Sequence, residues 1–251
     1  MQMNTDGLVI RENATGENDR IITILTKEYG IVRAFANGAR RIKSRSQCAT
    51  QLLSYSRFSI YKSKENFIID EAQSIEIFFK LRADIERLSL AQYFCELAGE
   101  LAPEMDEAED YLKLMLNSLH FLANSTRPQL LLKALTELRM LCLAGYMPDL
   151  TACENCGKFE DTLMYFEKEN GRLFCSSCGG AGVSAGLGVI TAMRHICYSD
   201  PVKLYAFSLP DDALQQLSLI TEGYLAAHVT RKFKTLSFYN SLTQNKQESS
   251  P

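Results

Sequence analysis

Along the first 80 residues, polar and apolar positions alternate in short runs, which is the period-two pattern of half-buried β-strands. The runs are rich in Ile, Val, Phe, Tyr and Thr, and turn signals such as Tyr29-Gly30 and Asn37-Gly38 separate them. They are DGLVIREN, DRIITILT, GIVRAFA, LLSYSRFSIYKS and ENFIIDEAQSIEIF. Five short strands within about 80 residues predict a small OB-fold barrel over residues 1–79.

Beyond residue 79, apolar residues recur every three or four positions, which is the pattern of amphipathic helices. The segments with this spacing are LRADIERLSLAQYFCELAGELA, DEAEDYLKLMLNSLHFLA, PQLLLKALTELRMLCLAG, GLGVITAMRHICYS and LPDDALQQLSLITEGYLAAHVT. Pro128 suits a helix start and Gly145 a helix end, so the third segment has both boundary signals. The predicted fold class is α+β, with an N-terminal OB-fold β-barrel followed by a mostly helical C-terminal domain.

The helical part is interrupted by an inserted four-cysteine, zinc-ribbon-like segment. The sequence Gly179-Gly180-Ala181-Gly182 that ends it predicts a flexible break. The end of the chain, TQNKQESSP, has the polar composition of a disordered tail. The predicted parts are a barrel domain at 1–79, a helical domain at 80–150, the cysteine segment at 151–182, C-terminal helices at 183–244 that pack with 80–150, and a disordered tail at 245–251.

Four cysteines form two CxxC pairs separated by 18 residues, which lies within the spacing of zinc ribbons. A CxxC turn places two thiolates around one ion at about 2.3 Å, and a second such turn completes a tetrahedron. The intervening LMYFEKENGRLF predicts a hairpin that turns at Asn170-Gly171 and brings the two pairs together. The predicted ligands of one structural Zn²⁺ per chain are Cys153, Cys156, Cys175 and Cys178.

A redox dithiol or a catalytic metal is the alternative use of these cysteines. The closed structural site is favoured, because four thiolates leave no position for water and no His or carboxylate completes a catalytic set. Zinc binding would also stabilise a segment with little apolar core of its own. The remaining cysteines lie among apolar neighbours and are interpreted as core or neutral positions. They are Cys48, Cys95, Cys142 and Cys197.

Charge is distributed unevenly along the chain. The net charge is −3, yet the first 80 residues hold 12 Lys/Arg and 9 Asp/Glu. Nothing from Tyr29 to Lys64 is acidic, and eight residues there are basic. A local positive field of this kind predicts a defined anionic partner. Guanidinium groups bind phosphate oxygens in pairs, so the expected contacts with nucleic-acid phosphates are Arg33, Arg40, Arg41, Lys43 and Arg45.

Aromatic side chains in the same region could stack on unpaired bases, as they do in single-strand binders built on OB-folds. The candidates are Phe35, Tyr55, Phe58 and Tyr61. The alternative is a solvated charged turn above a barrel whose rings are in the core. Most of the rings are expected in the core, with one or two reaching solvent.

The sequence contains no set of residues that would catalyse a reaction. A GxxxxGK[ST] phosphate loop and a GxSxG motif are absent, and His120, His195 and His228 are isolated in predicted helices. The chain is therefore predicted not to be an enzyme. The polar start MQMNTDG lacks the features of a signal peptide, and no apolar run reaches membrane-spanning length. These observations predict a reducing cytoplasm and no membrane partner.

The order of these features resembles the RecO family of bacterial recombination mediators. The resemblance covers residues 5–240 and is carried by five stretches of sequence. They are DGLVIRE, GENDRIITILTKEYG, FANGARRIKSR, ELRMLCLAGYMPDLTACENCG and RKFKTLSFYNSL. The combination Gly-Tyr-x-Pro before the first CxxC is the most specific of these motifs.

The resemblance implies an N-terminal OB-fold, a helical C-terminal domain with zinc, and binding of single- and double-stranded DNA through the Gly38–Arg45 loop. It implies annealing of complementary strands in the bacterial cytoplasm, with nucleoid association when engaged. It also implies partnership with RecR, contact with the tail of single-strand-binding protein (SSB) and, indirectly, loading of RecA on SSB-coated DNA. By chemistry alone, the candidates for the acidic SSB tail are Arg231, Lys232 and Lys234, beside Phe233 and Leu236.

Two other functions remain open at this point. A zinc-ribbon nucleic-acid-binding regulatory factor would bind selected sequences or structures and would not anneal strands. A cytosolic thiol-redox enzyme would need a reactive thiol of low pKa and would keep its activity under chelation.

Overall fold

The computed structural model describes residues 2–42, 44, 46–64, 66–124, 126–180 and 182–248, with side chains through residue 243. The chain divides into two compact units. Unit 1 comprises Met1–Ser125 and Phe233–Pro251, and unit 2 comprises Thr126–Lys232. Unit 2 is thus an insertion in the sequence of unit 1. This division cuts through the segment 80–150 that the sequence treats as one helical domain.

A closed barrel forms the N-terminal part of unit 1. Its strands are β1 (Gln2–Thr15), β2 (Asp19–Thr26), β3 (Gly30–Ala36), β4 (Ser54–Ser63) and β5 (Asn66–Ile77). They close in the order β1-β2-β3-β5-β4, with β3 and β5 parallel and the other neighbours antiparallel. This is the strand order of an OB-fold, and it confirms the predicted barrel.

The alternation in the sequence explains the barrel interior. Strand β3 alternates between buried and accessible positions, with Val32, Ala34 and Ala36 directed inward. Large apolar residues of the other strands fill the same core, and alanines from the loop after β3 close it. The core residues with the lowest exposure include Val9, Ile22, Ile24, Ala34, Ala39, Ala49, Phe58 and Ile60.

Six α-helices follow along the described residues. They are α1 (Ile85–Leu101), α2 (Glu109–Asn124), α3 (Gln129–Leu143), α4 (Leu187–Tyr198), α5 (Asp211–His228) and α6 (Lys234–Glu248). The sequence predicts the first five as helices and does not single out α6. Helix α6 reaches Glu248, four residues into the predicted disordered tail, and residues 249–251 lie outside the described residues.

In unit 1, helices α1 and α2 pack with the barrel. The Asp84 carboxylate caps α1 by accepting hydrogen bonds from the N–H groups of Glu86 and Arg87. Helix α6 packs along α1. The ring of Phe233 meets the ring of Tyr93 edge to face, with 5.5 Å between their centroids. Because Phe233 is buried in this contact, the return of the chain to unit 1 is anchored by apolar packing.

Unit 2 combines α3, α4 and α5 with a three-stranded sheet. The strands are β6 (Leu163–Glu167), β7 (Arg172–Cys175) and β8 (Val183–Gly186), in the order β7-β6-β8. Strand β8 begins at Val183, directly after the predicted break at Gly179–Gly182, and pairs with β6. Ala181 of that break lies outside the described residues.

A buried ion-pair cluster joins α3 to α5 inside unit 2. The Lys133 ammonium lies 2.9 Å from the Glu137 carboxylate and 2.8 Å from the Glu222 carboxylate. Ser218 accepts a third hydrogen bond from Lys133, and Thr221 donates to Glu137. Burial alone would lower the pKa of Lys133, but the two carboxylates outweigh it and raise that pKa. The two carboxylates therefore keep Lys133 charged although its side chain is buried.

In the part of the chain that the structure describes, every helix is too short or too polar to cross a membrane.

Candidate nucleic-acid surface and metal centre

The loop between β3 and β4 carries most of the predicted DNA-binding residues, and backbone contacts hold its first half against the β1–β2 turn. The Gly38 N–H donates to the Asp19 carboxylate at 2.6 Å, and the Arg40 N–H donates to the Asn18 carbonyl at 2.9 Å. The Arg40 guanidinium also reaches the Gly16 carbonyl at 3.3 Å. These contacts hold Gly38 and Arg40 in place beside the turn.

Arg20 fixes the second half of the same loop. Its guanidinium donates to the Gln47 carbonyl at 2.8 Å and to the Thr50 hydroxyl at 3.0 Å, and it lies 3.5 Å from the Glu12 carboxylate. Arg20 is almost fully buried. This basic residue is structural, so it does not add to the surface that could bind an anion.

Arg40 and Arg41 are both exposed on the loop. Between them and the rest of the basic run lies Ile42, whose side chain is 93% exposed. Lys43 and Arg45, the other two predicted DNA contacts of this loop, lie outside the described residues. The structure thus places two of the four predicted loop cations at the surface.

Arg33 lies outside this loop, on the outer face of β3, and the sheet register adds a residue that the sequence did not indicate. Thr23 of β2 is paired with Arg33 on one side and with Arg11 of β1 on the other. All three face outward, since their strand neighbours Ile22 and Ile24 are in the core. The two arginines are therefore about 10 Å apart across two strand spacings. Among the described residues, neither of them is in an ion pair.

Of the four aromatic candidates, one lies beside this arginine row. Phe35 follows Arg33 on the outer face of β3 and is half-buried. Phe58 is fully buried in the barrel core, so it cannot stack on a base. Tyr55 and Tyr61 lie on the outer face of β4, where Tyr61 is exposed. Of the four rings considered from the sequence, Phe35 is the one beside Arg33.

The residues suggested for an acidic SSB tail lie at the start of α6 and just before it. Arg231, Lys232 and Lys234 are all exposed. Phe233, which was expected to offer an apolar contact, is buried against Tyr93 and has no free face for a partner. Of the two apolar candidates in this segment, Leu236 is half-buried and is the one that stays accessible.

The four cysteines come together in unit 2. The sulfur atoms of Cys153, Cys156, Cys175 and Cys178 all lie within 4.8 Å of one another. The Cys156 and Cys175 sulfurs are 3.6 Å apart. A tetrahedron with metal–sulfur bonds of about 2.3 Å requires sulfur separations of about 3.8 Å. The four thiols therefore fit one metal ion.

Local backbone structure builds this cluster as the spacing predicts. The N–H of Gly157 donates to the Cys153 carbonyl at 2.8 Å, and the N–H of Gly179 donates to the Cys175 carbonyl at 3.1 Å. Both glycines have positive φ, of 72° and 64°, which confirms the predicted knuckles. The β6–β7 hairpin turns at Gly171 and places Cys175 opposite Met164. Sequence-local turns thus supply each half of the site.

The thiols of the cluster influence each other's protonation. Burial of Cys153 raises the pKa of its thiol, but backbone hydrogen bonds from the knuckles outweigh this effect and hold that pKa at about 6. The Cys178 thiol hydrogen-bonds to Cys156 and Cys175, which raises the pKa of Cys178 to about 12. The Cys153 thiolate therefore forms beside the Cys178 thiol, which resists a second negative charge, and a bound cation would remove that resistance.

The other cysteines do not join this cluster. Cys95, Cys142 and Cys197 are buried, as the sequence predicts, whereas Cys48 is exposed. Cys142 donates to Cys197, with 3.6 Å between their sulfurs.

Comparison with known proteins gives matches along nearly the whole chain. Residues 1–78 match the family described as "Recombination protein O N terminal" and residues 82–237 match "Recombination protein O C terminal". The DNA repair protein RecO of Acetivibrio thermocellus is 33% identical over 97% of this chain and 98% of its own length. The protein of that name from Symbiobacterium thermophilum is 32% identical over 95% and 97% of the two chains. The chain therefore belongs to the RecO family, which supports a role in DNA repair and recombination.

Proposed function

We propose that the protein is a non-enzymatic recombination mediator that binds single- and double-stranded DNA and anneals complementary strands. The observation that carries the proposal is the outer face of the barrel. Arg11 and Arg33 form a row across three strands, Phe35 lies beside it, and the exposed Arg40 and Arg41 continue the positive surface along the loop. Cations next to an accessible ring are the combination that binds a strand without reading its sequence.

Charge neutralisation explains how such a surface anneals strands. Two complementary strands repel each other through their phosphates. A surface that binds both raises their local concentration and screens that repulsion. Base pairing then releases free energy, so no ATP is required. Accordingly, we expect neither a nucleotide cofactor nor a bond-making step.

We further propose that the four-cysteine cluster binds one structural Zn²⁺ per chain. The support is the donor set and its geometry: four thiols with separations that suit a tetrahedral ion. When bound, zinc would supply a crosslink between the two knuckles and no open coordination position. Cys153, Cys156, Cys175 and Cys178 would hold it.

The partners proposed beyond DNA are RecR and SSB, with RecA loaded indirectly on SSB-coated DNA in the cytoplasm. The support is family membership. For the acidic SSB tail, the exposed Arg231, Lys232 and Lys234 offer charge. The apolar part of that tail needs a contact other than Phe233, which is buried.

The test is annealing of complementary oligonucleotides coated with their SSB, without ATP. Wild type should anneal them, and Arg40→Glu/Arg41→Glu should not, because four charge units change on the strand-binding loop. Lys168→Glu/Lys203→Glu is the control, since it makes the same charge change at two exposed lysines of unit 2. If wild type fails to anneal, the mediator proposal is wrong and a zinc-ribbon nucleic-acid-binding factor takes its place. If both double variants fail equally, the loop is not the contact.

A further inference from the structure

A groove of about 440 Å³ lies on the outside of the barrel, where β3 meets the start of β5. Its volume is within the range of sites that bind small flat ligands. Part of the lining comes from the predicted DNA surface and part from the segment before α2. The lining residues are Ile31, Val32, Arg33, Phe35, Asn66, Phe67, Glu104 and Met105.

The groove exists because β3 and β5 diverge after a short parallel contact. Ala34 pairs with Phe67 and Phe35 pairs with Ile68, and within the described residues no further pairs join these two strands. The segment before α2 forms the opposite wall. Its Pro103 carbonyl accepts a hydrogen bond of 2.8 Å from the N–H of Ile31. The walls are therefore held by backbone hydrogen bonds on both sides.

Two phenyl rings contribute apolar surface to the groove. Phe35 is half-buried, so part of its ring is accessible. Phe67 packs partly against the barrel core and also lines the groove. The Lys62 ammonium lies 5.8 Å from the centroid of the Phe67 ring. Accessible rings with cations next to them favour a planar, electron-rich ligand that carries a negative group outside the groove.

The charges in the groove distinguish a base from a phosphate. Arg33 is exposed and suits a phosphate oxygen. Glu104 also lines the groove, and its carboxylate repels phosphate but accepts hydrogen bonds from an exocyclic amino group. Asn66 adds an amide that can donate and accept. A nucleobase with an amino group satisfies all three, with its phosphate on Arg33.

We propose that this groove takes one unpaired, amino-bearing base of a DNA strand, stacked on Phe35 with Phe67 as apolar lining, while Arg33 binds the adjoining phosphate. This inference rests on the proposed binding of single strands and identifies which residues distinguish a single strand from a duplex. A base that is paired and stacked in a duplex cannot enter, so the groove adds affinity for unpaired strands alone. Arg11 extends the row of cations beyond Arg33 and would bind a neighbouring phosphate of the same DNA strand.

The experiment compares affinity for a single strand with affinity for a duplex of the same length, using the full chain at fixed salt. Phe35→Ala should weaken single-strand binding about tenfold through loss of one stacked base, and leave duplex binding unchanged. Phe35→Tyr keeps a ring at this position and should restore the wild-type ratio of single-strand to duplex affinity. Tyr61→Ala removes an exposed ring from the outer face of β4 and is the matched control. Melting curves establish that each variant folds.

A second arm tests the kind of base. Wild type should bind oligo(dC) more tightly than oligo(dT), because cytosine has an amino group and thymine has none. Glu104→Ala should remove that preference. Free dCMP, tested as competitor, should compete only weakly, since it lacks the neighbouring phosphates that Arg11 would bind. Competition by dCMP as strong as by the strand would make the groove a mononucleotide site and overturn the inference.

The outcomes separate this inference from the proposed function. If wild type binds neither strands nor duplex, the proposed function fails. If wild type binds single strands and Phe35→Ala leaves the ratio of the two affinities unchanged, the groove is not the base site, while the mediator proposal stands.

Discussion

Gly30 and Pro103 lie so close together that residue 30 has no room for a side chain. Gly30 has a φ of +57°. A Cβ built there would collide with the Pro103 carbonyl oxygen and approach the Asp106 carbonyl oxygen at 2.9 Å. Without a side chain, Gly30 lets the segment 103–106 dock on the end of β3. This contact places Glu104 in the wall of the groove.

Gly30→Ala should therefore lower the free energy of unfolding by about 3 kcal/mol, because it combines an unfavourable φ with a backbone collision. Gly16→Ala is the matched control: Gly16 has a φ of +56° and nothing within 4 Å of its added Cβ. Gly16→Ala should lower the free energy of unfolding by only about 1 kcal/mol. Urea unfolding of both variants measures the difference. Equal losses would mean that the segment moves aside at no cost.

The salt dependence of single-strand binding tests the arginine row. Arg11→Gln/Arg33→Gln should reduce the slope of log affinity against log salt by about 1.4, since each cation that engages a phosphate contributes about 0.7. Arg57→Gln is the control, because the exposed Arg57 already has an ion pair with Asp6, with 2.9 Å between the charged atoms. Titrations at several salt concentrations give the slope. An unchanged slope in the double variant would exclude the row from the strand path.

The barrel and the cysteine cluster could be predicted from sequence because both depend on local signals. Alternation specifies which side of each strand faces the core, and a CxxC turn needs only its own residues and a glycine. Arg11 could not be found in this way. Its place beside Arg33 depends on the register of β1 with β2 and of β2 with β3, and a bulge between Val9 and Arg11 shifts that register.

Helix α6 and the division into units also depend on long-range packing. The sequence KTLSFYNSLTQNKQE contains few strong apolar signals. Its buried Tyr239, together with Phe233 at its start, belongs to unit 1. Tertiary contacts with α1 therefore stabilise a helix that propensity alone does not specify. The short β8, with the sequence VSAG, likewise has too few residues to show an alternation.

Removal of the proposed zinc should unfold part of unit 2 and spare the barrel. Native mass spectrometry should find one zinc per chain in wild type and none in Cys153→Ser, because the variant lacks one of the four thiolate ligands. Hydrogen exchange should then increase in β6 and β7, which carry or adjoin the ligands, while β1–β5 keep their protection. Cys48→Ser changes an exposed cysteine outside the cluster and should leave both readouts unaltered. Unchanged zinc content in Cys153→Ser would contradict the site.

The buried pair of Lys133 and Glu137 should respond more to the loss of one partner than to the loss of both. Lys133→Met leaves Glu137 buried without its cation, which should cost about 3–5 kcal/mol of unfolding free energy. Lys133→Met/Glu137→Leu removes both charges and should recover most of that loss. Urea unfolding of Lys133→Met, Glu137→Leu and the double variant gives the free energies for a double-mutant cycle. Additive losses would show that the two charges do not stabilise each other.

The same cluster should make stability fall at alkaline pH. The two carboxylates raise the pKa of Lys133 in the folded protein despite its burial. Its stabilising contribution is therefore complete below the pKa of an unfolded lysine, about 10.4, and is lost as the pH rises through the higher folded value. Burial also raises the pKa of Tyr224 to about 12, which acts in the same direction.

Wild type and Lys133→Met/Glu137→Leu share Tyr224, so the difference between them isolates the lysine. Unfolding free energies at pH 9 and 11 should fall more in wild type than in the double variant. An equal fall in both proteins would assign the alkaline loss to tyrosines and other lysines, and not to this ion pair.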